Sequence, residues 1–201
     1  MARIRTILSY AIAALIPAAA SGSLLAQSRT VPKQFDHVRS LGRAASEFKD
    51  DRVKIVVSYA ESQVNHDSRW LLIELGAFSR STVTIERARI ELVTPGGSVV
   101  AHATPDRFRE ASDITALRLR RPSSAPRLAW YLPYDGLAAN GWSYSWREPR
   151  ISLSPLDVAP RFGPAFTALP FESPTGAWDA GLYALIVPYD GSEAILPIAL
   201  R

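Results

Sequence analysis

A chain of 201 residues with 23 lysines and arginines against 19 acids carries a net charge of +4, and it contains no cysteine. Residues 1–26 hold Arg3 and Arg5 and no acid, so the remainder has 21 bases against 19 acids; so even a balance is no nucleic-acid footprint. Without disulfides the fold must rest on its core, and about 175 residues beyond that stretch suffice for one sizeable core and one domain.

Arg3 and Arg5 precede an apolar run over residues 7–20, broken only by Ser9 and Pro17. A run of roughly 14 residues falls short of the ~20 that a membrane helix needs. Basic start, short apolar middle and small residues after it make residues 1–26 a secretory leader, cut between 20 and 27. The rival reading is an uncleaved anchor. The expected location is periplasmic or secreted, with no transmembrane span in the mature chain.

Residues 27–52 form an N-terminal extension that is expected to be partly helical. Phe35, Val38, Leu41, Ala45 and Phe48 recur at roughly helical spacing, between Pro32 and the charged Lys49-Asp50-Asp51-Arg52. Such a helix would pack on the domain or bind a partner. The main domain then spans 53–201. Val53, Ile55, Val57 and Tyr59 alternate with Lys54, Val56 and Ser58, which predicts a half-buried strand. Residues 70–78 are apolar except for Glu74 and predict a central strand covered on both faces.

Over residues 82–93 the apolar parity switches, from Val83 and Ile85 to Ala88, Ile90 and Leu92. A one-residue bulge at Glu86-Arg87 would restore a single buried face. Thr94-Pro95-Gly96-Gly97 turns the chain into a second hairpin. Thr104 and Pro105 are a good N-cap and first helical residue, opening a helical excursion near 104–120 that ends in the basic Arg118-Leu-Arg-Arg121. That cluster reads as a solvated helix end rather than an anion site. Residues 127–134, 141–147 and 150–154 look strand-like. Five prolines between 155 and 174 predict an extended loop wrapping the domain.

Near the C-terminus, apolar runs over 182–187 and 194–200 flank Tyr189-Asp190-Gly191-Ser192, a hairpin signal. Residues 182–187 are apolar on both faces, so that strand belongs inside a sheet. Pro197 places its partner at an edge or a bulge. Ahead of them stands Asp179-Ala-Gly-Leu-Tyr183. It resembles the tyrosine corner of immunoglobulin-like sandwiches, in which such a Tyr bonds back to nearby backbone. The resemblance implies an all-β, immunoglobulin-like antiparallel sandwich with one or two short helical additions, and structural roles for Asp179, Gly181 and Tyr183. Leu185 stands where antibody domains place a cysteine. More loosely, the mature chain is similar to bacterial exported sandwich proteins of unassigned role. Neither resemblance carries a function.

Catalytic spacings are scarce. Ser46-Glu-Phe-Lys49 matches Ser-x-x-Lys, but Ser-Asp-Asn and Lys-Thr-Gly are missing, so the match reads as chance. His37, His66 and His102 share no ligand-like spacing, and no metal or cofactor is expected. A calcium site of loop carbonyls and aspartates stays open, since such sites have no fixed pattern outside the EF-hand. The richest feature is aromatic: Trp130, Tyr131, Tyr134, Trp142, Tyr144 and Trp146 fall within 17 residues. In a strand, Trp142, Tyr144 and Trp146 would share one face. Exposed, that row would stack on sugars or form an interface beside Arg147; covered, it is core, the cheaper arrangement because Ser143 and Ser145 then face water.

The sequence thus points to a non-enzymatic interaction or accessory domain of the bacterial envelope, its partner an envelope protein or polysaccharide and not nucleic acid. The alternative is a carbohydrate-binding module using Trp130, Tyr134, Trp142, Tyr144, Trp146 and Arg147.

Overall fold

Antiparallel pairing organises the chain into two sheets. The computed structural model describes residues 28–63, 69–111, 128, 132, 154–160 and 163–201. In chain order the elements are β1 (Val38–Ser40), β2 (Ala45–Lys49), β3 (Val53–Ser58), the single turn α1 (Ala60–Gln63), β4 (Trp70–Ser79), β5 (Val83–Ile85), β6 (Glu91–Val93) and β7 (Val99–Ala101). Then follow α2 (Pro105–Glu110), β8 (Leu156–Val158), β9 (Ala165–Glu172), β10 (Gly181–Tyr189) and β11 (Ser192–Leu200). The first sheet runs β1-β2-β3-β4-β9; the second runs β7-β6-β10-β5-β8, with β11 on the other side of β10. The fold is an all-β two-sheet antiparallel sandwich with minor helical additions. Among the described residues no helix is long and apolar enough to cross a membrane.

Period-two patterning builds the core. Ile55 and Val57 of β3 and Leu71, Ile73 and Leu75 of β4 meet Tyr183, Leu185 and Val187 of β10 and Leu196 and Ile198 of β11 in one buried cluster. Each such aliphatic side chain contributes about 1.5–3 kcal/mol by leaving water. β4 lies between β3 and β9, and its other face is covered too. Trp70 and Leu72 pack with Ala168 and Phe108, the Trp70 and Phe108 rings meeting edge-on at 5.0 Å. Thr104 caps α2, its hydroxyl accepting the Arg107 amide at 3.1 Å. Glu172 then ties the helix down by accepting from Arg107 and Arg69.

β10 is likewise buried on both faces. Its outward Ala184 and Ile186 join Val93, and Val31, Phe35, Val99 and Ile195 pack over them. Residues 28–36 therefore form a strap across the second sheet, anchored by the Ser28–Ser98 bridge and by the Arg29 amide donating to the Gly97 carbonyl at 3.0 Å. Asp190 and Gly191 take φ of 40° and 76°, as a two-residue hairpin turn requires. β10 and β11 consequently pair one to one from Tyr189–Ser192 to Gly181–Leu200. Pro197 sits opposite Ala184 without a bulge, on a strand that pairs only with β10.

Three expectations need correction. The helix expected within 27–52 is absent: residues 38–49 form the β1–β2 hairpin, with Val38 opposite Phe48. Its apolar residues do not share one face. Phe35 packs on the outer side of β10, Val38 and Phe48 enter the main core, and Leu41 packs beside Val56. The bulge expected at Glu86-Arg87 is instead a 3₁₀ turn over Arg87–Arg89. Ile85 pairs with Tyr189 and Glu91 with Ile186, so a whole turn, not one residue, separates β5 from β6. The loop expected over 155–174 contains β8 and β9. β9 tolerates Pro170 because it is an edge strand, and the Pro170 carbonyl accepts the Ala103 amide at 2.6 Å. Of the helical excursion expected near 104–120, α2 covers Pro105–Glu110 and Ala111 leaves helical geometry; residues 112–120 lie outside the described residues. The strand-like runs at 127–134, 141–147 and 150–154 lie outside the described residues, apart from Leu128, Leu132 and Ser154.

Candidate functional site

The expected binding residues Trp130, Tyr134, Trp142, Tyr144, Trp146 and Arg147 lie outside the described residues, as does the leader. Of the three structural residues, Tyr183 is buried and its hydroxyl donates to the Asp179 carbonyl at 2.7 Å. Trp178 meets the Tyr183 ring edge-on at 5.8 Å and donates its indole N–H to the Arg69 carbonyl at 3.2 Å. Gly181 has no room for a side chain, since a Cβ there would stand 2.8 Å from the Pro95 ring. This cluster joins the entry of β10 to both sheets.

A recess of about 760 Å³ opens at one end of the sandwich. Three segments wall it: the strap and its exit at Pro32, Phe35, Asp36 and His37; the β2–β3 turn at Phe48, Lys49, Asp50 and Asp51; and, far along the chain, the hairpin at Tyr189, Glu193 and Ile195. Phe48 and Tyr189 are buried and form its floor, whereas Asp36, His37, Lys49, Asp51 and Glu193 are exposed on its rim. The rings interlock, with His37 edge-on to Phe48 and Phe48 edge-on to Tyr189, each pair at 6.1 Å.

Hydrogen bonds hold these walls in place. Asp50 accepts the Arg52 and Val53 amides through Oδ1 at 2.9 and 2.7 Å, and the Tyr189 hydroxyl through Oδ2 at 2.5 Å. Burial alone would raise the Asp50 carboxyl, but those three donors and the Arg52 charge outweigh it and hold it below the ordinary carboxylate range. Burial and the Asp50 carboxylate push the Tyr189 hydroxyl well above its usual range, so it stays a donor. Arg52 lies 5.7 Å from the Tyr189 ring centre and pairs with Asp190 at 2.6 Å. Asp190 in turn accepts the Thr84 amide at 2.9 Å. The Lys49 amide donates to the carbonyl of His37, which holds φ at 58°. Both Asp50 oxygens are committed to the scaffold, so the carboxylates that the recess offers to a ligand are those of the rim.

A second polar group lies inside the sandwich. Arg87 donates to the Ser154 carbonyl and, at 3.4 Å, to the Thr167 hydroxyl. His102 Nε2 contacts the Arg87 carbonyl at 2.7 Å, and since a carbonyl only accepts, Nε2 carries the proton. Nδ1 is buried without a hydrogen bond of good geometry. Burial, partly offset by the backbone of Arg87 and Ala103, keeps His102 below the usual histidine range. Ser46 is no nucleophile paired with Lys49: residues three apart in a strand face opposite ways, and the Ser46 hydroxyl donates to the Pro197 carbonyl at 3.2 Å.

Sequence reading did not single out the recess. Its one local signal was the charged Lys49-Asp50-Asp51-Arg52 turn, and only the sheet topology brings that turn beside Tyr189 and Phe35. Comparison of the chain with protein-family models, with curated proteins and with solved structures finds no match.

Proposed function

We propose that this chain is a non-enzymatic interaction domain of the bacterial envelope, exported by a leader in residues 1–26, and that the recess between strap, β2–β3 turn and hairpin is its binding surface. The recess carries this reading: its volume of about 760 Å³ is that of a ligand pocket, with a mostly apolar floor and a few convergent polar groups. Its walls are braced by the Tyr189–Asp50 and Arg52–Asp190 contacts, which supports a preformed site. The immunoglobulin-like assignment belongs to the same proposal and draws support from the Tyr183–Asp179 contact. Export draws support from the basic start and the short apolar run of residues 7–20.

Two measurements test the proposal. Intact mass of the protein recovered from the envelope fraction should place its first residue between 21 and 27; a full-length, membrane-held species would refute cleavage. Capture from envelope extracts should yield a partner with the wild-type protein and lose it with Gln34→Trp, which sets a large ring at the recess. Equal capture by both proteins would remove the recess as the binding surface.

A further inference from the structure

We infer that the recess takes a lysine or arginine side chain presented by a basic peptide segment of its partner, an inference that rests on the recess being the binding surface. Charge is the first argument. Four carboxylates, those of Asp36, Asp50, Asp51 and Glu193, line the recess against the single ammonium of Lys49, on a mature chain that carries 21 bases against 19 acids. Glu193 is shared with Arg29 at 3.4 Å, and Asp50 is spent on the scaffold. Asp36 and Asp51 make no ion pair among the described residues, and both are exposed. They are therefore free to meet a cation, while an acidic peptide or a phosphate would meet like charge.

The shape of the site selects among cations. No group of three or more acids and histidines in it converges as a metal ion needs, which disfavours a metal ion as that cation. Phe48 and Tyr189 and the half-buried Phe35 and Ile195 supply the apolar lining of the same recess. A lysine or arginine satisfies both halves at once, laying its methylene stem on the apolar floor and its charged head at the rim. The remaining apolar wall suits an apolar residue beside the cation. A peptide brings such a neighbour, and a free polyamine does not.

The test is a titration of the ¹⁵N-labelled protein, as recovered from cells, with the probe peptide acetyl-Ala-Lys-Phe-Arg-Ala-amide. The comparison probes are its counterpart with glutamate in both basic positions, and spermidine. The basic peptide should shift the amides of His37, Asp51 and Glu193, with affinity falling roughly tenfold in the Asp36→Asn, Asp51→Asn double variant and falling again as salt screens the exposed charges. Asp106→Asn, on exposed α2, should bind as wild type does. Both rim residues are exposed, and an unchanged melting temperature confirms that the double variant folds. Absence of these shifts, equal binding of the glutamate peptide, spermidine matching the basic peptide, or indifference to the double variant would each overturn the inference. If the basic peptide fails while Gln34→Trp still abolishes envelope capture, the cation chemistry falls and the binding surface stands. If capture ignores Gln34→Trp, the surface itself falls.

Discussion

The Tyr189 hydroxyl, from the last residue of β10, donates to the Asp50 carboxylate in the β2–β3 turn at 2.5 Å, joining the two sheets across the floor of the recess. The acceptor is ionised, and bonds of that kind are worth about 1.5–3 kcal/mol. Tyr189→Phe should lower stability by about that amount in urea melts at neutral pH. The loss should also reshape the acid limb. Asp50 titrates below its unfolded value of about 3.9, so it contributes stability above that pH and loses it as pH falls through the lower folded value. The variant should therefore show a shallower decline below about pH 4 than the wild type. A parallel decline would mean that the bond does not set the carboxyl.

Tyr183 makes a simpler bond. Its acceptor is the neutral Asp179 carbonyl, and a net loss of about 0.5–1.5 kcal/mol is expected for Tyr183→Phe. Coincident urea midpoints for the two proteins would show that the hydroxyl contributes nothing.

His102 predicts a dependence near neutrality. Its folded value is depressed by burial, so the unfolded chain takes up a proton first as pH falls. Stability should be fully present above about pH 6.5 and drop as pH descends from there toward the folded value. His102→Gln should flatten that part of the profile, measured by urea melts between about pH 7.5 and 5. An unchanged slope would assign the effect to other groups.

Phe108 is the buried residue that fixes α2 to β4, edge-on to Trp70. Phe108→Ala should cost about 3 kcal/mol, at the lower end of large aromatic truncations, because the site lies in a small outer cluster rather than between the sheets. Amide exchange in Pro105–Glu110 should accelerate while that of β10 changes less. Uniform acceleration would place Phe108 in the global core.

How far the fold could be read from sequence depended on whether one local signal decided each element. Asp190-Gly191 between two apolar runs specified the β10–β11 hairpin, and the unbroken apolar run from Trp70 specified a strand covered on both faces. β9 was missed because Pro170 argues against a strand, and only its edge position makes that proline acceptable. The β1–β2 hairpin was missed because Phe35, Val38, Leu41 and Phe48 imitate helical spacing while serving three separate clusters. The recess was not legible for a related reason. Asp36, Asp51 and Glu193 become neighbours only after both sheets have formed.

The strap has a consequence for the order in which the molecule can be completed. Val31 and Phe35 rest on Ile186 and Ile195, which leave the ribosome roughly 150 residues later, so this contact belongs to the slow, non-local class. Until β10 and β11 exist, the segment carrying Asp36 and His37 has only its contacts near Val93, Gly97–Val99 and Lys49 and lacks the Ile186 and Ile195 surface, so its apolar side chains stay partly in water. The early part of the chain must therefore wait partly unsheltered for the late part. The recess is among the last features to appear, and a chain stopped short of the hairpin would have no binding surface at all.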